Sequence, residues 1–495
     1  MSQKQIIEVL NTTDLGKKSM QSGMINMMSQ VISIILQLTS TIVLARIINP
    51  TSYGIIGMVM AVISFAGLFR DLGLSTATIQ RKDLTHDQVS VLFWVNLSLG
   101  FGLFVSVALC SPFVVWFYNK PELLWITVVL GVNIFLSSIG AQHAALLNRS
   151  MRFKQINIAK IGGALSNFVV ALIGALFGLE YWALALGAVA NSVVNTSLVW
   201  YYSGWTPGRP YKKTGVRDMV KYGLNLTGFE FLNYLSRNLD NILIGKVIGA
   251  EALGFYTRAY NLIMFPISNI RTPLASVALP SLSSLQDDLL RFKLYYKQLL
   301  EALAIITMPI AGFIFIASKS MVLVLLGEKW LPVAPIMRWL SVAAFLQPVS
   351  GLFGLVLLAQ GLAKRHLYSG LISAIVLSFV FISSVNFGVE TLAMIYAATG
   401  YVLFVPIFLF VSRNTGINLK DFFLSVWRAA LSTLCAVLLL YFINFSRLIE
   451  FQILKLLIDF IQFGLFYFTL LILLPGGRLH LLGLRDRFKQ AIIKN

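Results

Sequence analysis

Long apolar runs separated by short polar segments occupy most of the chain. An α-helix of roughly 20 mainly apolar residues crosses a bilayer core about 30 Å thick. The connections between the runs are short, so no sizeable extramembrane domain is expected. The pattern therefore predicts an all-α polytopic membrane protein. Its apolar runs predict about fourteen membrane-spanning helices, over residues 22–48, 53–79, 88–118, 122–147, 157–178, 181–203, 219–247, 253–281, 294–318, 335–360, 367–387, 391–412, 420–443 and 449–474.

An internal repeat with a shift of 200 residues groups the first twelve spans into two sets of six. Segment 44–56 aligns without a gap with segment 244–256, and the paired residues include Arg46 with Lys246 and Gly54 with Gly254. Because an even number of spans separates the copies, two six-helix lobes would share one orientation and enclose a central cavity. The alternative is that two helix–turn–helix hairpins share glycines and aliphatic residues by chance.

The repeat and the polar segments together suggest a division of the chain. The predicted parts are a cytoplasmic N-terminal segment (1–21), an N-lobe with helices 1–6 (22–203), a cytoplasmic linker (204–218), a C-lobe with helices 7–12 (219–412), helices 13 and 14 (420–474) and a basic cytoplasmic tail (475–495). In the tail, aliphatic and basic residues alternate, which favours binding to anionic lipids of the inner leaflet.

Composition excludes most other classes of protein. Hydrophobic residues make up 57% of the chain and charged residues 12%, whereas soluble proteins carry about 25% charged residues. The formal charge of +19 is spread in short clusters between apolar runs, so no nucleic-acid partner is expected. The two cysteines and four histidines share no ligand spacing, so no metal site is expected. A Walker-type loop and a nucleophile elbow are both missing from the sequence, so no enzymatic activity is predicted.

The basic residues also orient the protein. With the N-terminus in the cytoplasm, 26 of the 39 Lys and Arg residues fall in inside segments and nine at outside ends. Cytoplasmic loops carry an excess of Lys and Arg. The distribution therefore predicts cytoplasmic N- and C-termini. The remaining four lie within predicted spans: Arg70, Arg237, Arg271 and Arg428.

Span 7 carries a polar stripe. Asn233, Arg237 and Asp240 are spaced four and three residues apart, which places them on one helical face. A charge at this depth is costly, so the stripe is interpreted as the lining of a cavity. The alternative is an Arg–Asp pair that neutralises itself and locks two helices together.

Span 2 contains the adjacent residues Arg70 and Asp71. Neighbouring residues on a helix point about 100° apart, so each is expected to have a separate partner. For Arg70, the alternative is that its side chain extends to the inner membrane interface.

Several motifs resemble a known family of transporters. They are Ser236-Arg-Asn-Leu-Asp-Asn-Ile-Leu-Ile-Gly-Lys-Val-Ile-Gly-Ala-Glu-Ala-Leu-Gly-Phe-Tyr256, followed by Pro266 and Leu279-Pro-Ser-Leu-Ser283, together with Leu44-Ala-Arg-Ile-Ile-Asn-Pro-Thr-Ser-Tyr-Gly54, Leu72-Gly-Leu-Ser-Thr-Ala-Thr-Ile79 and Leu326-Gly-Glu-Lys-Trp330. This set resembles the Wzx-type flippases of O-antigen, capsule and exopolysaccharide repeats, in the multidrug/oligosaccharidyl-lipid/polysaccharide exporter superfamily.

The resemblance implies alternating access that moves an undecaprenyl-diphosphate-linked oligosaccharide from the cytoplasmic to the periplasmic leaflet of the bacterial inner membrane. The expected substrate-binding residues are Arg46, Arg237, Arg258, Arg271, Asn233 and Asn241. Asp240 and Asp71 are the expected cation-coupling residues, with H⁺ or Na⁺ as the coupling ion and no other cofactor. The polysaccharide polymerase machinery is an expected partner.

Three other functions stay open at this stage. A flippase for the peptidoglycan lipid precursor and a drug/cation antiporter belong to the same superfamily. The basic interior disfavours the antiporter, because cationic drugs need an anionic cavity. A membrane polysaccharide polymerase is disfavoured by the short outer loops.

The substitution Arg237→Ala is expected to stop polysaccharide export, because the substrate would lose a bidentate phosphate ligand. Surface polysaccharide in a strain whose only copy carries the variant measures the effect, and membrane immunoblotting confirms correct insertion. Normal export by a correctly inserted variant would remove Arg237 from the mechanism.

Overall fold

The computed structural model describes residues 15–71, 73–80, 84–209, 234, 238–413, 415–445 and 449–477. Across these ranges the regular structure is helical, with no strand. The prediction of an all-α membrane protein is therefore confirmed. Contacts divide the chain into a first unit, Met1–Gly254, and a second unit, Phe255–Asn495.

The helices are numbered in chain order. Up to residue 203 they are α1 (Leu15–Ile47), α2 (Pro50–Leu68), α3 (Leu74–Gln80), α4 (His86–Tyr118), α5 (Leu123–Arg149), α6 (Phe153–Leu176) and α7 (Tyr181–Ser203). After a π-helical turn at Ile244–Ile248 they are α8 (Ala250–Ser283), α9 (Leu289–Leu325), α10 (Val333–Ser350), α11 (Leu352–Ala359), α12 (Ala363–Ser384), α13 (Val389–Ser412), α14 (Leu419–Phe442) and α15 (Gln452–Leu473).

Within the described residues, thirteen segments are long and apolar enough to cross a membrane. Each of them overlaps one of the fourteen predicted spans. The remaining prediction, 219–247, lies mostly outside the described residues. The chain is therefore a multi-pass membrane protein.

Predicted span 2, 53–79, is not one continuous helix. α2 ends at Leu68, residues 69–71 and 73 form turns, and α3 begins at Leu74. Gly73 has a φ of 70°, in the left-handed region that glycine adopts most readily. The break places Arg70 and Asp71 in a turn, so the 100° separation expected for neighbours on a helix does not apply to them.

The starts of α2 and α8 cross at van der Waals contact through two glycines. A Cβ atom on Gly54 would lie 1.6 Å from the carbonyl oxygen of Ala250, and one on Gly254 would lie 2.1 Å from that of Pro50. Under the 200-residue shift, Pro50 corresponds to Ala250 and Gly54 to Gly254. The two contacts are thus reciprocal, which supports the internal repeat.

In the second unit, α14 and α15 pack against α9. Lys293 Nζ on α9 lies 2.7 Å from a carboxylate oxygen of Asp421, which also forms a capping box with Asn418 at the start of α14. The hydroxyl of Tyr467 on α15 donates to the carbonyl of Ile305 on α9 at 2.9 Å. Polar contacts therefore stabilise the packing of both α14 and α15 against α9.

The substitution Gly54→Ala is expected to destabilise the protein by about 1–3 kcal/mol, because the new methyl group overlaps backbone atoms of Ala250 that have no rotamer to change. Thermal unfolding of the purified protein in detergent measures the effect. Gly102→Ala is the control, since a Cβ atom there has no neighbour within 4 Å. Equal unfolding midpoints for the two variants would contradict the close contact between the starts of α2 and α8.

Candidate functional site

A polar cavity of about 430 Å³ lies inside the first unit. Its apolar wall is small and consists of alanines, Ile79 and Gly140. Its polar wall consists of Arg70 and Asp71, the amides of Asn148, Asn191 and Asn195, and the hydroxyls of Ser75, Ser137, Ser192 and Thr196. A hydrogen-bonding wall of this kind inside a membrane-spanning unit is suited to a hydrophilic ligand.

Four elements supply the described lining, and one of them is α3, which contributes Ser75 and Ile79. The turn after α2 contributes Arg70 and Asp71, α5 contributes residues from Ser137 to Asn148, and α7 contributes 191–196. α5 ends at Arg149, and Arg152 and Lys154 follow it closely. The cavity therefore extends toward the basic end of the unit, which the charge distribution predicts to be cytoplasmic.

Asp71 stabilises the turn between α2 and α3 through hydrogen bonds. Its carboxylate accepts hydrogen bonds from the backbone N–H of Ser75 at 3.2 Å and from the Ser75 hydroxyl at 2.7 Å. Asn96 Nδ2, on α4, donates to the same carboxylate at 3.3 Å. Asp71 thus has partners on two elements, and all of these partners are uncharged.

The far end of α3 is held by α5. The Thr78 hydroxyl donates to Gln142 Oε1 at 2.8 Å. Arg149 donates to the carbonyl oxygen of Thr78 at 2.9 Å, which satisfies one of the free carbonyls that every helix C-terminus leaves. These contacts fix the short helix, and with it the wall of the cavity.

Unlike its neighbour Asp71, the side chain of Arg70 has no bonding partner among the described residues. Among the described residues, no side chain or carbonyl forms a hydrogen bond or ion pair with its guanidinium group, and its Nε atom is buried. The expectation that Arg70 and Asp71 have separate partners therefore holds for Asp71, whereas Arg70 has none in the described part of the chain.

The α7 side of the cavity is packed closely against neighbouring helices. The Asn191 side chain lies against Gly163 of α6, where a Cβ atom would be 2.3 Å from its Oδ1. The Thr196 hydroxyl donates to the carbonyl of Leu136 at 3.0 Å. The amides of Asn148, Asn191 and Asn195 have no hydrogen-bond partner among the described residues. They are available to water or to a ligand in the cavity.

Of the residues predicted to bind substrate in span 7, Arg237 and Asn233 lie outside the described residues. Asn241 is half-buried, and its backbone N–H donates to the carboxylate of Asp240 at 2.7 Å. Asp240 itself is 8% exposed. Tyr234 connects this segment to α2, because its hydroxyl donates to the carbonyl of Ala61.

The other predicted arginines are dispersed. Arg46 is exposed at the end of α1. Arg258 and Arg271 are both half-buried on α8, thirteen residues apart, which corresponds to about 20 Å along a helix axis. Arg271 lies against Gly351, between α10 and α11.

Sequence reasoning missed the asparagines of the cavity. The stretch 191–196, Asn-Ser-Val-Val-Asn-Thr, interrupts the apolar run of span 6, and its two asparagines are four residues apart on one face. That spacing was the available signal. Among the described residues, no group of three His, Cys, Asp or Glu side chains is arranged to hold a metal ion.

Curated proteins similar to this chain act in polysaccharide biosynthesis. The lipopolysaccharide biosynthesis protein WzxC of Escherichia coli is 26% identical over 425 residues, covering 83% of this chain and 85% of WzxC. The teichuronic acid biosynthesis protein TuaB of Bacillus subtilis is 28% identical over 386 residues, covering 77% of this chain and 80% of TuaB.

Two solved structures share the fold. The lipid II flippase MurJ in its inward closed conformation matches with a TM-score of 0.73 at 11% identity, over 90% of this chain and 98% of MurJ. An inward-facing multidrug resistance MATE family transporter of the MOP superfamily matches with a TM-score of 0.64 at 16% identity, over 77% of this chain and 94% of the transporter.

Residues 43–335 match the sequence profile of a family described as polysaccharide biosynthesis protein. This segment makes up more than half of the chain, and it contains the motifs on which the resemblance to polysaccharide-repeat flippases rests. The resemblance is thereby confirmed: the chain belongs to the polysaccharide biosynthesis protein family.

Proposed function

We propose that this protein is a flippase that carries a lipid-linked oligosaccharide repeat unit across the bacterial cytoplasmic membrane for polysaccharide export. The undecaprenyl-diphosphate-linked unit enters from the cytoplasmic leaflet and leaves to the periplasmic leaflet by alternating access. The observation that carries this proposal is membership of the polysaccharide biosynthesis protein family together with the fold shared with MurJ. The chain transports its substrate and performs no chemical step on it.

The polar cavity of the first unit supports this function. A lipid-linked sugar presents many hydroxyl groups, and amide and hydroxyl side chains provide both donors and acceptors for them. Because the cavity extends toward the basic end, it would be reached from the cytoplasmic side, from which the proposed substrate enters. The predicted cytoplasmic termini and a polymerase partner belong to the same proposal.

Rival functions fit the cavity less well. A transporter of cationic drugs needs an apolar wall and a net negative charge, whereas the apolar wall of this cavity is small and Arg70 lies beside Asp71 in its lining. The likeness to MATE transporters and to MurJ is one of fold, at 16% and 11% identity. The relatives TuaB and WzxC, by contrast, are named for polysaccharide biosynthesis.

Deleting the gene is expected to leave finished lipid-linked oligosaccharide on the cytoplasmic face of the inner membrane, with surface polysaccharide lost. Spheroplasts and inverted vesicles treated with a glycosidase that cannot cross membranes measure which face carries the oligosaccharide. A plasmid copy of the wild-type gene is the control and restores export. Single repeat units accumulating on the periplasmic face would contradict a flippase and favour a polymerase.

We also propose that cation coupling involves Asp240 and Asp71. The substitutions Asp240→Asn and Asp71→Asn keep the side-chain shape and remove the charge. Each is expected to slow export by roughly tenfold, within the usual range of coupling free energies, and to abolish its dependence on a proton or sodium gradient. Repeat-unit transport into proteoliposomes with imposed gradients provides the measurement.

Asp87→Asn, in the exposed first turn of α4, is the matched control. Retained gradient dependence in both variants would exclude the two carboxylates from coupling.

A further inference from the structure

The guanidinium group of Arg70 has no counter-ion from the described part of its own chain. Its Nε atom is buried without a hydrogen-bond acceptor, and none of the described residues pairs with the group. Asp71, the next residue, directs its carboxylate to Ser75 and Asn96 instead. The cavity thus contains a guanidinium group with no bonded counter-ion, beside a carboxylate whose hydrogen bonds all come from uncharged donors.

An unpaired cation in a membrane-spanning unit is costly, and such residues characteristically face a polar cavity or a functional partner. A guanidinium group carries five N–H donors in a rigid fork, which matches the two oxygens of a carboxylate or phosphate. Arg70 therefore selects for an oxyanion rather than for a neutral acceptor.

The other residues that line the cavity indicate which groups of the ligand lie beside the oxyanion. Asn191 and Asn195 lie one helical turn apart on α7, and their amides have no hydrogen-bond partner among the described residues. Each amide offers both donors and an acceptor, which suits the hydroxyl groups of a sugar ring. None of the described residues that line the cavity is aromatic. Its volume of 430 Å³ falls within the range of small-molecule sites, roughly 300–1,000 Å³.

We propose that this cavity binds an oxyanion-bearing sugar of the lipid-linked repeat unit. Its carboxylate or phosphate pairs with Arg70, and its hydroxyl groups pair with Asn191 and Asn195. The proposal rests on the proposed function, since it names the substrate class of the same transporter. The oxyanion has two sources in such a substrate: a carboxylate on a ring of the repeat unit, or the diphosphate beside its first sugar.

Binding is tested with the full-length protein in phosphatidylcholine nanodiscs, by following thermal unfolding through tryptophan fluorescence. The probes are glucuronate, glucose and inorganic pyrophosphate, each titrated over the same range. A ligand that binds the folded state raises the unfolding midpoint in proportion to its saturation. Glucuronate is expected to raise the midpoint of the wild-type protein, and glucose, which lacks the carboxylate, to leave it unchanged.

Variants identify the site of binding. Arg70→Gln is expected to weaken glucuronate binding by roughly tenfold or more, as for the loss of a charge-assisted hydrogen bond. Asn191→Asp, which adds a carboxylate to the wall, should weaken it as well. Arg209→Gln is the matched control, because Arg209 is exposed and does not line the cavity. It should bind glucuronate as the wild type does.

Each outcome decides between stated alternatives. Pyrophosphate acting through Arg70 in place of glucuronate would support the site and identify the carrier diphosphate as the source. Equal stabilisation of the wild type by glucose and glucuronate would overturn the proposal, and that comparison requires no variant to fold. Unchanged glucuronate binding by Arg70→Gln would overturn it too.

The proposed function is tested separately by the deletion strain. Binding of glucuronate through Arg70 without accumulation of lipid-linked oligosaccharide would keep the cavity assignment and remove the transport function. Accumulation in the deletion strain, combined with a wild-type protein that binds neither anion, would overturn the cavity assignment alone.

Discussion

The hydrocarbon layer offers no partner to a backbone N–H or C=O group, so a chain that crosses it must satisfy those groups internally. Continuous helices meet this constraint automatically, and most described segments of this protein do so. The turn after α2 interrupts a membrane-spanning helix, and this interruption forms part of the candidate site. Asp71 bonds the backbone N–H of Ser75 at the start of α3, and Arg149 bonds the carbonyl of Thr78 near its end. The cavity depends on this break in the helix, in which side chains bond the free backbone groups. An unbroken helix would point Arg70 and Asp71 in different directions.

The positions of the spans could be predicted from the sequence because bilayer thickness alone determines how long an apolar run must be. The break in span 2 could not be predicted in the same way. Its sequence from Leu72 to Ile79 contains one glycine among apolar and small residues, which is compatible with a helix. The partners that stabilise the break, Asn96 and Arg149, are supplied by other helices. Such contacts between distant residues leave no periodic trace in a single sequence.

The candidate site was predictable only in part, for a related reason. Charged residues in an apolar run are costly, so the sequence alone indicates that Arg70 and Asp71 need partners. Asparagines and serines cost less in a membrane helix, so the polar residues of α7 give a weaker signal.

All of the described residues that line the polar cavity belong to the first unit. A ligand held there contacts the same groups whenever that unit moves as a rigid body. Binding that is equally strong in two conformations cannot shift the equilibrium between them, however tight it is. The cavity would therefore act as a passive carrier for the group it holds. The free energy that favours one conformation over another would have to come from contacts that change when the conformation changes.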